Sequence, residues 1–228
     1  MDFTSFTAIL ADGEPPSHAV PLTILGRAKT VVVCDGAWKT AVSLGRVPDA
    51  VVGDCDSLSC DDMVELERLG VPVVKDPEQD TNDLCKAFRY LMRSGHVGHV
   101  FILGATGRRE DHAIGNIFHL LDLASVHPEV CIVTDSGVFE PVLPPGRQWD
   151  DMSACNSPIS VFASHPDTAM SSEGLKWPLD GVRFDYLWRG TLNRITGGHF
   201  AVHTDRPAMI FRPHLKSKAD AWKEKRRI

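Results

Sequence analysis

The fold prediction starts from the stretch Val51-Val52-Gly53-Asp54-Cys55-Asp56-Ser57-Leu58. Its valines predict the end of a buried strand, its glycine predicts a sharp exit, and two carboxylates follow at spacing i, i+2. Mg²⁺ in proteins is usually held by one or two carboxylates together with phosphate oxygens. An isolated Asp-x-Asp is also typical of a solvated acidic turn. The acids elsewhere in the chain therefore decide between a metal site and a turn.

The segments around this stretch alternate between strand and helix patterns. Residues 30–35 form a continuous β-branched run, a helix from Gly36 to about Gly45 follows, and residues 50–53 form the next strand. Unbroken apolar strands suit a parallel sheet that is buried on both faces. Because strand, helix and strand alternate, we predict a mostly parallel, three-layer α/β domain.

Polar residues mark the starts of two further helices. Ser59 followed by Asp62 predicts a capping box for a helix that ends near Leu69. Thr81 is predicted to cap a longer helix with one apolar face. Further strands at residues 71–74, 100–103 and 130–133 continue the α/β pattern.

The sequence pattern changes beyond about Ser136. Helical periodicity fades, prolines cluster, and short apolar or alternating segments lie between turns, at residues 159–162, 199–203 and 208–211. This pattern predicts an all-β sandwich. We place the boundary between residues 134 and 146 and describe the two domains as residues 1–138 and 139–228.

Composition and charge exclude several classes of protein. The net charge of −6 argues against a general nucleic-acid binder, and the basic tail from Lys216 to Arg227 is interpreted as a solvated terminus. No apolar run approaches the ~18 residues of a membrane span. Residues 1–4 lack the features of a secretory signal. The six cysteines are scattered without a Cys-x-x-Cys pair, which predicts free thiols in a reducing cytoplasm.

Four strand ends of the first domain carry acids, glycines or both. Ligands of an open α/β sheet bind outside the carboxyl ends of the strands, so these residues should meet at one edge. Asp80 and Asp83 surround a helix N-terminus, where anions or their metal partners are well placed. Residues 104–107 with Arg108 and Arg109 form either a phosphate cradle or a structural turn. The four strand ends are Asp35-Gly36, residues 53–56, residues 76–83 and residues 104–112.

No Walker-type or dinucleotide glycine motif is present, so the acids and the glycine-arginine loop indicate a magnesium-nucleotide site of another kind. Three residues allow two interpretations each. His112 is either a base or a helix-start hydrogen-bonding residue. Trp177 either stacks on a ligand or fills the sandwich core. Cys55 is either a reactive thiol or a spacer between two acids.

Six short motifs, in order and spacing, resemble those of the thiamine pyrophosphokinase family. The resemblance runs from about residue 31 to residue 211. Three positions depart from the family pattern, because Arg108 replaces a glycine, Asn82 a threonine and Leu192 a serine. The motifs are Asp35-Gly36, residues 53–57, residues 78–83, residues 108–112, residues 174–177 and residues 191–193.

The resemblance implies transfer of a diphosphate group from ATP to the hydroxyl of thiamine, giving thiamine diphosphate and AMP. It also implies a magnesium requirement, and a homodimer whose sites are shared between the α/β domain of one subunit and the sandwich of the other. By this resemblance Asp54, Asp56 and Asp83 hold the metal, with Asp80 and Asp111 nearby. For an in-line attack by the hydroxyl, we expect a carboxylate such as Asp80 or Asp111 to accept its proton. The ATP side would comprise Asp35, Gly36, Gly104, Gly107, Arg108, Arg109 and His112, and the thiamine side Gln79, Ser171, Trp177, Thr191 and Asn193.

Three other interpretations stay open. The first is a magnesium-dependent kinase that acts on a different small alcohol. The second is a non-catalytic nucleotide-binding regulator whose sandwich binds a partner. In the third, the acids are solvated turns without a function.

Overall fold

The chain divides into two compact units between Asp135 and Ser136. The computed structural model describes residues 5–95 and 98–215. The boundary predicted after residue 138 falls inside a strand, Gly137–Val142. The predictions for residues 1–4 and for the basic tail from Lys216 to Arg227 lie outside the described residues.

The first unit is built on a six-stranded parallel sheet. Its order is β6-β5-β1-β2-β3-β4. The chain passes from β1 out to β4 and then returns to β5 on the other side of β1, so the topological switch point lies between β1 and β5. The strands are β1 (Phe6–Leu10), β2 (Thr30–Cys34), β3 (Ala50–Gly53), β4 (Val73–Lys75), β5 (His99–Leu103) and β6 (Val130–Val133).

Five helices connect these strands. By the right-handed crossover rule, this strand order puts α1, α2 and α3 on one face of the sheet and α4 and α5 on the other. Helices that connect parallel strands in this way form the predicted three-layer α/β arrangement. None of the described helices is both long and apolar enough to cross a membrane. The helices are α1 (Ala19–Arg27), α2 (Trp38–Ser43), α3 (Cys60–Arg68), α4 (Asp83–Arg93) and α5 (Glu110–Val126).

The capping prediction is confirmed for α3 and wrong for α4. Ser59 Oγ accepts from the backbone N–H of Asp62 at 3.2 Å, and Asp62 Oδ2 accepts from the N–H of Ser59 at 3.0 Å. At α4 the N-cap is Asn82, whose Oδ1 accepts from the N–H of Cys85 at 3.0 Å. The Thr81 hydroxyl instead accepts from Arg89 NH1 at 3.0 Å and donates to Glu78, so it is directed at the preceding loop and not at the helix N–H groups.

The second unit is a β-sandwich, as predicted. One antiparallel sheet has the order β11-β9-β13-β7 and the other has the order β10-β12-β8. Trp149 and Phe200 stack in the core between the sheets, with ring centroids 4.8 Å apart. The strands are β7 (Gly137–Val142), β8 (Gly146–Asp150), β9 (Pro158–Ala163), β10 (Met170–Glu173), β11 (Gly190–Arg194), β12 (His199–Thr204) and β13 (Ala208–Pro213).

Candidate functional site

The acids that follow β1 and β2 each lie against the glycine of the neighbouring strand. Asp35 follows β2 and lies over Gly53 of β3, where a Cβ atom would come within 2.6 Å of Asp35 Cγ. Asp12 follows β1 and lies over Gly36, where a Cβ atom would come within 2.6 Å of Asp12 Oδ2. Because a side chain at either glycine would occupy the carboxylate position, these glycines let the acids fold over the sheet edge.

Asp35, Asp54 and Asp83 come together into one three-carboxylate group, with one oxygen from each within 4.8 Å of the others. Asp35 is only 4% exposed, and it accepts from the backbone N–H groups of Gly36 at 2.8 Å and Cys55 at 2.9 Å. Burial raises the pKa of Asp35, and the negative charge of Asp83 raises it further. Oxygen donors of this kind are the ones that Mg²⁺ takes in proteins, so the three-carboxylate group fits such a cation.

Asp54 is held from two sides by residues of neighbouring loops. The backbone N–H of Asp56 donates to Asp54 Oδ1 at 3.2 Å, and Gln79 Nε2 donates to Asp54 Oδ2 at 3.2 Å. Both hydrogen bonds lower the pKa of Asp54, and the one from Asp56 has the larger effect. The hydrogen bond between the two carboxyl groups and the charge of Asp54 raise the pKa of Asp56. Asp56 lies outside the three-carboxylate group, and Asp35, predicted on the ATP side, lies within it.

Lys86 lies beside the same group and was missed in the sequence analysis. It belongs to the first turn of α4 and its side chain is only 3% exposed. Its Nζ lies 3.0 Å from Asp83 Oδ1 and 3.9 Å from Asp54 Oδ2. The only sequence signal for this contact is the i, i+3 spacing of Asp83 and Lys86 on one helix face.

The loop before α4 is fixed by a second group of charges. Arg89 donates to Glu78 Oε2 at 2.7 Å and to the Thr81 hydroxyl at 3.0 Å, and the N–H of Thr81 donates to Glu78 Oε1 at 2.8 Å. These contacts lower the pKa of Glu78 to about 2, and the hydrogen bond with the Thr81 side chain has the largest effect, followed by that with Arg89. Asp80 lies in this loop, exposed, and is not part of the three-carboxylate group.

The glycine loop at residues 104–107 is tied to the segment after β1. The N–H of Gly13 donates to the carbonyl of Gly104 at 2.7 Å. Arg108 has φ 56°, a conformation that glycine adopts readily, and its guanidinium reaches Asp12 Oδ1 at 2.6 Å and Asp12 O at 3.1 Å. Arg108 thus holds the loop to the end of β1. Asp12 was also missed, although it follows a strand as the other acids do.

Asn82 connects α4 to the same glycine loop. Its Nδ2 donates to Asn116 Oδ1 at 2.8 Å, and Asn116 Nδ2 donates to the carbonyl of Ala105 at 2.8 Å. Asn82 Oδ1 is already used as the α4 cap. Asn82, which departs from the family pattern, thus uses the two ends of one amide group to cap α4 and to contact Asn116.

Arg109, Asp111 and His112 lie at the start of α5. Arg109 binds Asp111 through two parallel contacts, Nε to Oδ1 at 3.1 Å and NH2 to Oδ2 at 2.6 Å. This pairing lowers the pKa of Asp111 to about 2. His112 is exposed in the first turn of the helix. None of the three belongs to the three-carboxylate group.

Within the second unit, Trp177, Thr191 and Asn193 line one cleft of about 280 Å³. Trp177 is 52% exposed, which excludes the core-filling interpretation. Asn193 is buried and holds the backbone of Trp177, accepting from its N–H at 3.2 Å and donating to its carbonyl at 2.6 Å. Leu192 is exposed on the same cleft with φ 60°. Ser171 lies in β10, paired with His203, and is not among the residues that line this cleft.

Comparison with known proteins gives one consistent result for both units. Residues 22–132 match the sequence family described as thiamin pyrophosphokinase, catalytic domain, and residues 137–211 match the family described as thiamin pyrophosphokinase, substrate-binding domain. A rice relative, thiamine pyrophosphokinase 1 of Oryza sativa subsp. japonica, is 27% identical over 153 residues. That alignment covers 61% of this chain and 55% of the rice protein, so the chain spans about half the length of the relative.

Solved structures show the same fold. The thiamine pyrophosphokinase of Bacillus subtilis superposes with a TM-score of 0.76 at 18% identity, covering 92% of this chain and 99% of that chain. The yeast thiamin pyrophosphokinase superposes with a TM-score of 0.74 at 14% identity, covering 93% of this chain and 87% of that chain. At these identities the likeness establishes the fold alone.

Proposed function

Because the chain belongs to the thiamine pyrophosphokinase family, we propose that it transfers a diphosphate group from ATP to the hydroxyl of thiamine, giving thiamine diphosphate and AMP. The observation that carries the proposal is the group of Asp35, Asp54 and Asp83 at the carboxyl edge of the parallel sheet. Ligands of such sheets bind at this edge, and phosphoryl transfer depends on positioning and on neutralising phosphate charge.

We propose that Asp35, Asp54 and Asp83 hold a magnesium ion, with Asp56 acting beside Asp54. The support is the close approach of three carboxylates, of which Asp35 is fixed by two backbone N–H groups. A magnesium ion held there would supply positive charge that neutralises the negative charge of the phosphates. The family pattern adds Asp56 as a ligand, and its hydrogen bond to Asp54 keeps it close enough for that role.

The phosphates of ATP would lie against the glycine loop and Arg109. Backbone N–H groups of residues 104–107 and the guanidinium fork are suited to phosphate oxygens. Arg109 now binds Asp111 at the surface, and such exposed pairs are weak, so a phosphate can replace the carboxylate. Gly36 and His112 complete the predicted ATP side. Arg108 would act indirectly, by fixing the loop to Asp12.

Of the two predicted bases, Asp80 is the better candidate. Asp111 is paired with Arg109, which is assigned to the ATP side, whereas Asp80 directly follows Gln79, which is assigned to the thiamine side. Asp80 is exposed in the loop that Glu78 and Arg89 fix. We therefore propose that Asp80 accepts the thiamine hydroxyl proton as the oxygen attacks the β-phosphorus.

Thiamine would stack on the exposed face of Trp177. An indole contact with a flat cationic ring contributes about 0.5–2 kcal/mol, and Lys176 already lies with its Nζ 4.6 Å from the centre of this ring. Asn193 would hold the tryptophan backbone in place, while Thr191 offers a hydroxyl on the same cleft. Gln79 and Ser171 are assigned to thiamine by the family pattern.

We further propose a cytoplasmic homodimer with shared sites. The support for a reducing compartment is that the six cysteines are scattered without a Cys-x-x-Cys pair. Shared sites predict that Asp54→Asn and Trp177→Ala subunits complement each other, because a mixed dimer retains one intact site. With thiamine held below KM, the mixture should become more active after subunit exchange than the same mixture was before exchange. No recovery despite proven subunit exchange would contradict the shared site.

The substrate is tested by offering Mg-ATP with thiamine and with other small primary alcohols. AMP release that depends on thiamine supports the proposal. Turnover of another alcohol but not of thiamine would support the rival kinase, a rival that Leu192 keeps open because it replaces the usual serine on the Trp177 cleft. Nucleotide binding without turnover of any alcohol would support the regulator.

A further inference from the structure

Lys86 carries a positive charge where a charge is costly. Its side chain is 3% exposed and it lies in the first turn of α4, whose N-terminal end already has a positive partial charge. A buried ammonium group costs free energy unless it is well paired. The buried apolar residues nearest to it in sequence, Leu84, Ala87 and Phe88, lie on a different face of the helix. The buried charge of Lys86 is therefore balanced by carboxylates, one of which lies outside the helix.

The groups that face Lys86 come from several elements of the first unit. Its Nζ lies 3.0 Å from Asp83 Oδ1 on its own helix and 3.9 Å from Asp54 Oδ2 after β3. Asp35, after β2, shares the three-carboxylate group with both of these acids. Three ionised carboxylates and one ammonium group leave a charge of −2, which a single divalent cation neutralises.

We propose that Lys86 is a positioning residue that holds Asp54 and Asp83 together when no divalent cation is bound, and that competes with the cation for them. The inference rests on the proposed cation site. Lys86 thereby keeps the carboxylates from separating in the free protein. It also weakens binding of the bare cation, so that the cation binds firmly only with the phosphates that supply further ligands and negative charge.

Two effects of opposite sign distinguish this role from a merely structural one. Removing the charge leaves Asp54 and Asp83 uncompensated, so the cation-free protein unfolds at a lower temperature. The same change removes a competitor from the site, so a divalent cation binds more tightly. A lysine that only stabilised α4 would give the first effect without the second.

The experiment compares Lys86→Met with the wild type and with Lys39→Met. Methionine keeps the length of the side chain without its charge. Lys39 is a control because it also pairs with a carboxylate, but its partner is Asp62, outside the three-carboxylate group, and its side chain is 66% exposed. Mn²⁺ is titrated into each protein by electron paramagnetic resonance, without nucleotide or thiamine, and unfolding temperatures are measured with and without saturating Mn²⁺. Failure of the thiamine assay therefore does not decide this outcome.

Lys86→Met should bind Mn²⁺ at least ~tenfold more tightly than the wild type, since a unit charge within 4 Å of the ligands is removed. Lys39→Met should stay within twofold. The rise in unfolding temperature on adding Mn²⁺ should be larger for Lys86→Met, and adding Asp54→Asn to that variant should abolish the gain.

Mn²⁺ affinity within twofold of wild type in Lys86→Met would overturn the proposal. If this variant folds only with Mn²⁺, the proposal is supported. If it does not fold at all, Lys86→Gln provides the same comparison, because glutamine keeps a donor for Asp83 without the charge. Unchanged Mn²⁺ affinity in Lys86→Gln would then overturn it.

Discussion

Asp35 lies over Gly53, so closely that a Cβ atom on the glycine would be 2.6 Å from the carboxylate carbon. This relationship links two neighbouring strands of the parallel sheet to the candidate site. The glycine ends β3 and frees the space, and the acid fills it and meets Asp54 and Asp83. The site therefore depends on a residue that has no side chain.

Gly53→Ala should destabilise the protein by about 1–3 kcal/mol, because the added methyl group overlaps a fixed carboxylate. Gly26→Ala in α1 is the matched control, since its added Cβ meets no atom within 4 Å. The free energy of unfolding of Gly26→Ala should equal that of wild type or exceed it by up to ~1 kcal/mol. Urea unfolding measures the free energy of unfolding of both variants. If Gly53→Ala is as stable as Gly26→Ala, Asp35 moves aside without cost and the prediction is wrong.

Asp54→Asn should lower kcat by at least ~100-fold, because it weakens a metal ligand that acts in the transition state. The unfolding temperature should change little, since the substitution keeps the shape of the side chain. Asp61→Asn, at an exposed position of α3, is the control and should keep full activity. Activity of Asp54→Asn within threefold of wild type would contradict the metal role.

Trp177→Ala should raise KM for thiamine roughly two- to thirtyfold, matching a lost ring contact of about 0.5–2 kcal/mol. Stability should hardly change, because the indole is half exposed. Trp188→Ala, which removes another exposed indole of the second unit, should leave KM unchanged. Steady-state kinetics with varied thiamine measures this, and equal KM in both variants would remove Trp177 from the thiamine site.

Glu78→Gln should destabilise the protein at neutral pH and not at low pH. The folded-state pKa of Glu78 is about 2, below its ordinary value of 4.5, so its charged form stabilises the folded state. That contribution is present above pH 4.5 and is lost as the pH falls towards 2. The urea midpoint of the variant should thus lie below that of wild type at pH 7 and converge with it in acid.

The control for the glutamate is Glu67→Gln on the exposed face of α3, whose urea midpoint should follow wild type at every pH. A gap between Glu78→Gln and wild type that stays constant from pH 7 to pH 3 would contradict the charge-based account of the loop.

Much of the fold could be predicted because buried parallel strands leave unbroken apolar runs. The predicted strand at residues 50–53 has the bounds observed for β3, and Ser59 with Asp62 forms the predicted capping box. Thr81 was misassigned because Thr81 and the neighbouring Asn82 are both residue types that cap helices. Thr81 contacts Glu78 in the folded protein, and Asn82 caps α4.

The strand ends predicted that Asp35, Asp54 and Asp83 lie at one edge of the sheet, but they did not reveal which carboxylates come within 4.8 Å of one another. Asp35 joins Asp54 because of the space over Gly53, a tertiary relationship without a local pattern. Lys86 was missed because helical periodicity places it opposite the apolar face of α4, where a lysine is expected to be solvated, whereas the structure buries it. Arg108 departs from the family pattern, and only the structure reveals its contact with Asp12.

The most direct test of the central claim is the identity of the products. Purified protein with ATP, Mg²⁺ and thiamine can be followed by phosphorus NMR. The account predicts AMP and thiamine diphosphate in equal amounts, only when thiamine is present, and their loss when Mg²⁺ is chelated. ADP with thiamine monophosphate, or no consumption of ATP that depends on thiamine, would contradict it.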